Sequence, residues 1–167
     1  MKQIIVTLLF IISLVGCGKK VKPQQIANLK EQDTVAINLM LTNQILVEQT
    51  NDSLALYVAH CGKDFALHDN GFWYRYEQRT QRDSLHDEEI VAVDYQVFLL
   101  DSTLCADVAK QVRVGKKEVP DALDDALRMS RHGEQLEIIA PWYNAYGQKG
   151  TNHIPAYTNV RFVLSIN

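Results

Sequence analysis

The stretch GEQLEIIAPWYNAYGQKGTNHIPAYTNVRF, residues 133–162, decides the fold. In its first third, Leu136, Ile138 and Ala140 alternate with polar Gln135 and Glu137. Strict alternation of apolar and polar residues predicts a β-strand with one buried face. The stretch therefore begins with a half-buried strand that ends at the proline following it.

The rest of the stretch has the pattern of a loop followed by a closing strand. After Pro141 come an aromatic-rich segment, 142–147, and a polar turn through Gly150. Ile154 and Pro155 then lead into a strand whose apolar residues share one face, namely Val160, Phe162, Leu164 and Ile166.

This order of elements resembles the carboxy-terminal half of FKBP-type peptidyl-prolyl isomerases: a strand led by glycine, a proline, Ala-Tyr-Gly, Ile-Pro and a terminal strand. The distance from Gly133 to Tyr146 matches that family without a gap. The stretch NGFWYRY, residues 70–76, resembles the first strand of lipoprotein members related to the gliding-motility-associated isomerase. The resemblance covers residues 71–167.

Composition limits the classes of partner. With 167 residues, 47% of them hydrophobic, the chain can form one domain with an extension. The net charge is −3 and no cluster of lysine and arginine has the pattern of a nucleic-acid footprint, which argues against a nucleic-acid partner. The five histidines are scattered, and no Gly-rich phosphate loop is present. The sequence therefore predicts neither a metal site nor a cofactor.

The amino terminus has the pattern of a lipoprotein signal peptide, residues 1–16. Lys2 precedes an apolar run from Ile4 to Val15, which is too short to span a bilayer. The ending Leu14-Val15-Gly16-Cys17 resembles a bacterial lipobox, which implies that Cys17 is acylated and anchors the protein to the membrane. The same resemblance implies the outer membrane rather than retention at the inner one, because Gly18 rather than aspartate follows this cysteine; the periplasmic and the surface face both stay open.

Two further segments precede the domain. Residues 17–30 are polar and predict a tether, and residues 31–61 predict a helical extension. Within the extension we expect a helix over 31–49, a break at Asn51-Asp52-Ser53 and a second helix from Leu54 to His60. The pair packs on its own domain or serves as an arm for dimerisation or client contact; we favour packing, and the oligomeric state stays open.

The remaining pattern predicts an α+β domain over 71–167, with an antiparallel sheet wrapped around one short helix. Strands are expected over 72–77 and 90–100, with a further short strand ending at Gly115. The helix is expected over Val119–His132, because Pro120 suits a first turn and Gly133 suits the position after the last.

The resemblance implies a site for twisting an X–Pro amide, a reaction with a barrier of roughly 18–20 kcal/mol. It needs no nucleophile and no proton transfer, so the expected residues are aromatic and aliphatic. The family pattern assigns the catalytic positions to Tyr146, Tyr95, Phe162 and Ile154, with the Tyr146 hydroxyl binding a substrate carbonyl. It assigns the walls of the substrate pocket to Val119, Leu123, Val112 and Pro155.

Several positions depart from the family pattern. Leu123 replaces the tryptophan of the pocket floor, and Pro120 replaces an isoleucine whose backbone N–H contacts the ligand. The family's aromatic and aspartate fall near Cys105 and Ala106, unless a slip of one residue brings Asp107 into the role. Another pocket aromatic falls near Lys110, and His153 has no secure counterpart.

The sequence thus predicts a peptidyl-prolyl isomerase that assists exported, proline-containing polypeptides at the bacterial cell envelope. The alternative is an FKBP-shaped lipoprotein that binds unfolded chains with weak or no turnover. Cys61 and Cys105 form a disulfide or remain two free thiols; the sequence leaves both open.

Overall fold

The computed structural model describes residues 23–167, with side chains from residue 34 onward. The predicted signal peptide, Cys17 and the first tether residues lie outside the described residues. The described part of the chain divides into two units, the first ending at Ile45 and the second being Leu46–Asn167.

A single helix, α1 (Pro23–His60), replaces the predicted tether end and the predicted pair of helices. The expected break at Asn51-Asp52-Ser53 was wrong. Thr50 and Asn51 do not cap a second helix, because their side chains accept hydrogen bonds from Trp142 Nε1 at 3.0 Å and from the Tyr143 hydroxyl at 2.5 Å. Tertiary contacts therefore use the polar groups that would otherwise favour a helix start.

Six antiparallel strands form one sheet, as predicted for an FKBP-like α+β domain. The strands are β1 (Ala66–Leu67), β2 (Trp73–Gln78), β3 (Ile90–Leu99), β4 (Leu104–Arg113), β5 (Gln135–Ala140) and β6 (Val160–Ile166). Their spatial order is β1-β2-β5-β6-β3-β4. The closing strand β6 thus lies between β5 and β3, and its alternate residues are buried because one of its faces packs on the core.

The strand before Gly115 is longer than predicted. β4 has ten residues rather than a short run near Val112, since it pairs along almost all of β3. A bulge at Cys105 shifts the register, so that Val97 faces Ala106 while Phe98 faces Leu104.

The domain helix is shorter than predicted. α2 (Asp121–Arg128) follows Pro120, but it ends four residues before His132. The backbone beyond it pairs with another segment instead: Leu85 N–H donates to Ser130 O at 3.0 Å, and Ser84 forms a bridge with Arg131. Gly133, with φ of 78°, therefore lies in a turn rather than after the last helical residue.

Apolar side chains cover both faces of the sheet. On the inner face, α2 packs over the main core, which includes Leu136, Ile138, Phe162 and Leu164. On the outer face, the end of α1 packs through Leu54 and Val58 against Ile139 of β5. The end of α1 is therefore part of the domain. For these residues this agrees with the preferred interpretation, that the extension packs on its own domain.

Among residues 23–167, no helix combines the length and the apolar composition needed to cross a membrane. The structure has Cys61 and Cys105 as two free thiols.

Candidate functional site

Two of the predicted catalytic aromatics lie side by side on the inner face of the sheet. The register places Tyr95 opposite Leu164 and Phe162 opposite Val97, so the two rings are diagonal neighbours on adjacent strands. Their centroids are 6.3 Å apart in an edge-to-face arrangement. Both residues are buried, at 7% and 0% exposure.

Tyr146 extends this row of rings from the loop after β5. Its ring centroid lies 6.2 Å from that of Phe162, and its side chain is half-buried. Burial raises the pKa of Tyr146 strongly, and the neighbouring Tyr95 and Cys105 raise it further. Burial also raises the pKa of Tyr95. Both hydroxyls therefore stay protonated, and within the described part of the chain neither has a hydrogen-bond partner. The hydroxyl of Tyr146 is free to donate to a ligand carbonyl.

Backbone contacts hold the loop that carries Tyr146. Gly147 N–H donates to Trp142 O at 2.8 Å, and Tyr157 N–H donates to Gly147 O at 3.1 Å. Gly150 has φ of 62°, and a Cβ there would lie 2.2 Å from Ile154 O. The loop accepts only glycine at this point without a shift of its backbone.

The structure brings most of the predicted pocket residues into the same core as the three rings. Ile154, Val119, Leu123 and Val112 are all buried there. Pro155 is not among them, because its side chain is exposed where the chain leaves the loop. The predicted set therefore converges on one buried apolar core with the half-buried Tyr146 at its edge, and Pro155 lies outside it.

The departures from the family pattern also have clear positions. Pro120 precedes α2, and its carbonyl accepts hydrogen bonds from the N–H groups of Leu123 and Asp124, while it offers no donor of its own. The slip that would bring Asp107 into the pocket is wrong. Asp107 faces away from the core and accepts a hydrogen bond from Gln96 Nε2 at 2.9 Å.

Two further departures are Lys110, near which the family pattern has a pocket aromatic, and His153, which has no secure counterpart. Lys110 Nζ donates to Glu118 O at 2.6 Å, beside Val119. His153 is exposed, and its backbone N–H donates to Thr151 Oγ1 at 3.2 Å. At the position near which the family pattern places the last pocket aromatic, this chain therefore has a lysine whose ammonium donates to the backbone.

A family model for FKBP-type peptidyl-prolyl cis-trans isomerases matches residues 82–167. The chain belongs to this family. The match spans the paired strands β3 and β4, helix α2, the Tyr146 loop and the closing strand.

Solved FKBP structures share the fold. FkpA from Escherichia coli superposes with a TM-score of 0.58 at 16% identity, over 88% of this chain and 72% of that one. A peptidyl-prolyl cis-trans isomerase from Pseudomonas syringae gives 0.60 at 17% identity, over 71% and 92%. The N-terminal domain of FKBP42 from Arabidopsis thaliana gives 0.56 at 12% identity, over 62% and 90%. No curated protein matches the sequence significantly.

Sequence reasoning missed two features that shape this FKBP site. Cys105, placed by the bulge in β4, is close enough to Tyr146 to raise the pKa of its hydroxyl. Thr50, on α1, bonds Trp142 at the start of the Tyr146 loop. Neither contact has a local sequence signal, because each joins segments that are far apart in the chain.

Proposed function

We propose that this protein is a peptidyl-prolyl cis-trans isomerase that assists the folding of exported proteins at the bacterial cell envelope. The observation that carries the proposal is the row of Tyr95, Phe162 and Tyr146 over a buried apolar core, with the Tyr146 hydroxyl protonated and without a partner in the described part of the chain. The family match supports the class of reaction.

The arrangement suits a reaction without proton transfer. The X–Pro amide loses its resonance as it twists, so a surface that excludes water and binds the twisted form lowers the barrier. The proline ring would lie against the half-buried ring of Tyr146, with Phe162, Ile154 and Leu123 packed in the core beneath it. The Tyr146 hydroxyl would donate to a carbonyl flanking it, at an orientation fixed by the braced loop.

The envelope location rests on the sequence. The apolar run from Ile4 to Val15 and the ending at Cys17 support export and lipid anchoring, with the outer membrane favoured by Gly18. The proposed substrates are therefore proline-containing polypeptides outside the cytoplasm. The stretch 70–76 supports a more specific proposal, that the protein is a lipoprotein related to the gliding-motility-associated isomerase.

One observation favours the second candidate, a binding protein with little turnover. Pro120 and Leu123 remove a backbone donor and an aromatic floor at the positions that the family pattern assigns to the pocket. The shallower surface would hold a proline segment with fewer contacts to the twisted amide.

The test follows cis-to-trans conversion of X–Pro peptides by the full-length chain and by its Tyr146→Phe variant. Acceleration that falls in the variant, while affinity for the peptide changes little, supports the isomerase. Binding without acceleration by a folded chain supports the second candidate and contradicts the first.

A further inference from the structure

A cavity of about 250 Å³ lies on the outer face of the sheet, opposite the Tyr146 surface. Alternation along β5 and β6 places Glu137, Ile139 and Arg161 on this face, whereas Ile138 and Phe162 lie on the inner one. Its wall is completed by residues from the end of α1, from the segment that follows it and from the turn between β3 and β4, namely Tyr57, Cys61, Lys63, Phe65 and Ser102. The volume suits one or two side chains of a peptide rather than a cofactor.

A carboxylate at the floor of this cavity gathers three cations. Glu137 is 2% exposed and accepts hydrogen bonds from Lys63 Nζ at 2.7 Å, from Arg75 Nε at 2.7 Å and from Arg161 at 3.0 Å. Burial raises the pKa of the Glu137 carboxyl, but these hydrogen bonds outweigh burial and hold it below its usual value. The floor is therefore an ionised carboxylate that its partners more than neutralise.

The cavity wall retains positive charge and unused donors. The cluster holds three cations, Lys63, Arg75 and Arg161, against two carboxylates, Glu77 and Glu137. It therefore keeps one positive charge in excess. The Arg161 guanidinium lies 4.3 Å from the centroid of the Phe98 ring, and among the described residues only one of its nitrogens donates to a partner. Lys63 is 44% exposed at the mouth. A guanidinium beside a partly exposed ammonium favours an anionic group, in particular a carboxylate.

An apolar groove adjoins this positive wall. Tyr57 and Cys61 also line a second depression, of about 410 Å³, together with Leu56, which is 63% exposed. An anion and an aliphatic side chain of one extended segment can thus be accommodated next to each other.

We propose that this outer face is a second polypeptide-binding site, which takes a segment with an acidic side chain beside an aliphatic one and needs no proline. Charge complementarity selects this occupant: the carboxylate of the segment meets Lys63 and Arg161, and its neighbour covers Leu56 and Tyr57. The site lies across the sheet from Tyr146, so it holds a client without blocking the isomerase surface. The proposal does not depend on catalysis.

The test is an NMR titration of the ¹⁵N-labelled full-length chain with a capped peptide, acetyl-Gly-Leu-Glu-Leu-Gly-amide, and with its Gln counterpart. The acidic peptide is expected to shift the amides of residues 57–63, 102 and 161 and to leave those of residues 146 and 154 unchanged. The Gln peptide is expected to bind about fivefold more weakly, as for one partly exposed ionic contact.

Variants separate this site from a purely structural ion network. Lys63→Met is expected to weaken the acidic peptide about fivefold and leave the Gln peptide unchanged, whereas Lys63→Arg restores binding. Lys116→Met removes an exposed lysine paired with Glu88 and serves as the matched control, with no change expected. Equal binding of the two peptides to the wild-type chain, shifts confined to the Tyr146 surface, or no binding at all would overturn the proposal. If a variant fails to fold, the comparison of the Glu and Gln peptides on the wild-type chain still tests the proposal.

Discussion

Replacing Leu54 by alanine tests whether the end of α1 belongs to the folded domain. Leu54 is 1% exposed and packs against Val58 and Ile139 on the outer face of the sheet. The substitution removes three buried carbons, worth about 2.4 kcal/mol at ~0.8 kcal/mol each. The cavity left behind adds to this loss, so we expect the free energy of unfolding to fall by about 3 kcal/mol, within the 2–5 kcal/mol typical of buried leucines.

The same helix supplies the matched control. Leu56 lies two residues further along, is 63% exposed, and undergoes the same chemical change in Leu56→Ala. We expect this variant to stay within about 0.5 kcal/mol of the wild type.

Urea denaturation followed by tryptophan fluorescence measures both effects, since Trp73 packs on the Leu54 cluster and Trp142 bonds Thr50. With a slope of about 1.5 kcal/mol/M, Leu54→Ala should move the unfolding midpoint by about 2 M. Equal midpoints for the two variants would show that α1 does not pack on the sheet, and would refute the reasoning.

Three further predictions concern the loop, the ion network and the site. Gly150→Ala should destabilise the chain by at least about 2 kcal/mol and lower isomerase activity, because its Cβ meets Ile154 O at 2.2 Å. Gly147→Ala is the control, because Gly147 has a similar φ of 68° but no atom within 4 Å of its Cβ; it should cost only about 1–2 kcal/mol. Similar melting temperatures for the two variants would contradict the clash at Gly150. Glu137→Gln should cost about 1–3 kcal/mol in denaturant titrations, because it removes the buried carboxylate shared by Lys63, Arg75 and Arg161, whose side chains stay 44%, 21% and 19% exposed. In the wild type, folding lowers the pKa of Glu137, so the ionised carboxylate contributes to the free energy of unfolding above pH 4.5. This stabilisation is lost as the pH falls through the folded-state pKa, and the Gln variant should not show that loss in acid titrations. Isomerase activity should stay level from pH 7 to about pH 10, since the pKa of Tyr146 is raised above the ordinary tyrosine value; a fall centred below pH 10 would place an ionising group elsewhere in the site.

The sequence predicted those parts of the fold that depend on alternation within one strand. β3 and β6 have the expected buried faces, and the register brings Tyr95 next to Phe162 as the family pattern implied. The first strand that the sequence predicted, residues 72–77, corresponds to β2, which begins one residue later. These elements carry their own periodic signal, so no distant contact was needed to identify them.

Elements shaped by distant partners could not be predicted in this way. Glu137 fits the solvent side of an amphipathic strand, yet it is buried because Lys63, Arg75 and Arg161 converge on it from separate segments. α2 ends at Arg128 because the backbone beyond it pairs with residues 83–85. In both cases long-range pairing overrode the local pattern.

The site shows the same division. Its aromatic residues could be placed from an ordered motif, but the orientation of Asp107 depends on the register between β3 and β4 and on the bulge at Cys105. A shift of one residue moves a strand side chain to the opposite face, so sequence spacing alone could not decide this position.

The most direct test of the account is the rate of cis-to-trans isomerisation of X–Pro peptides by the full-length chain, compared with Tyr146→Phe. The Tyr146 hydroxyl has no partner within the described part of the chain, so its removal should leave the unfolding midpoint nearly unchanged. It should lower the catalysed rate about 10- to 100-fold, as expected for one hydrogen bond made in the transition state. A wild-type chain that folds but does not accelerate the reaction, or a variant that is equally fast, would contradict the central claim.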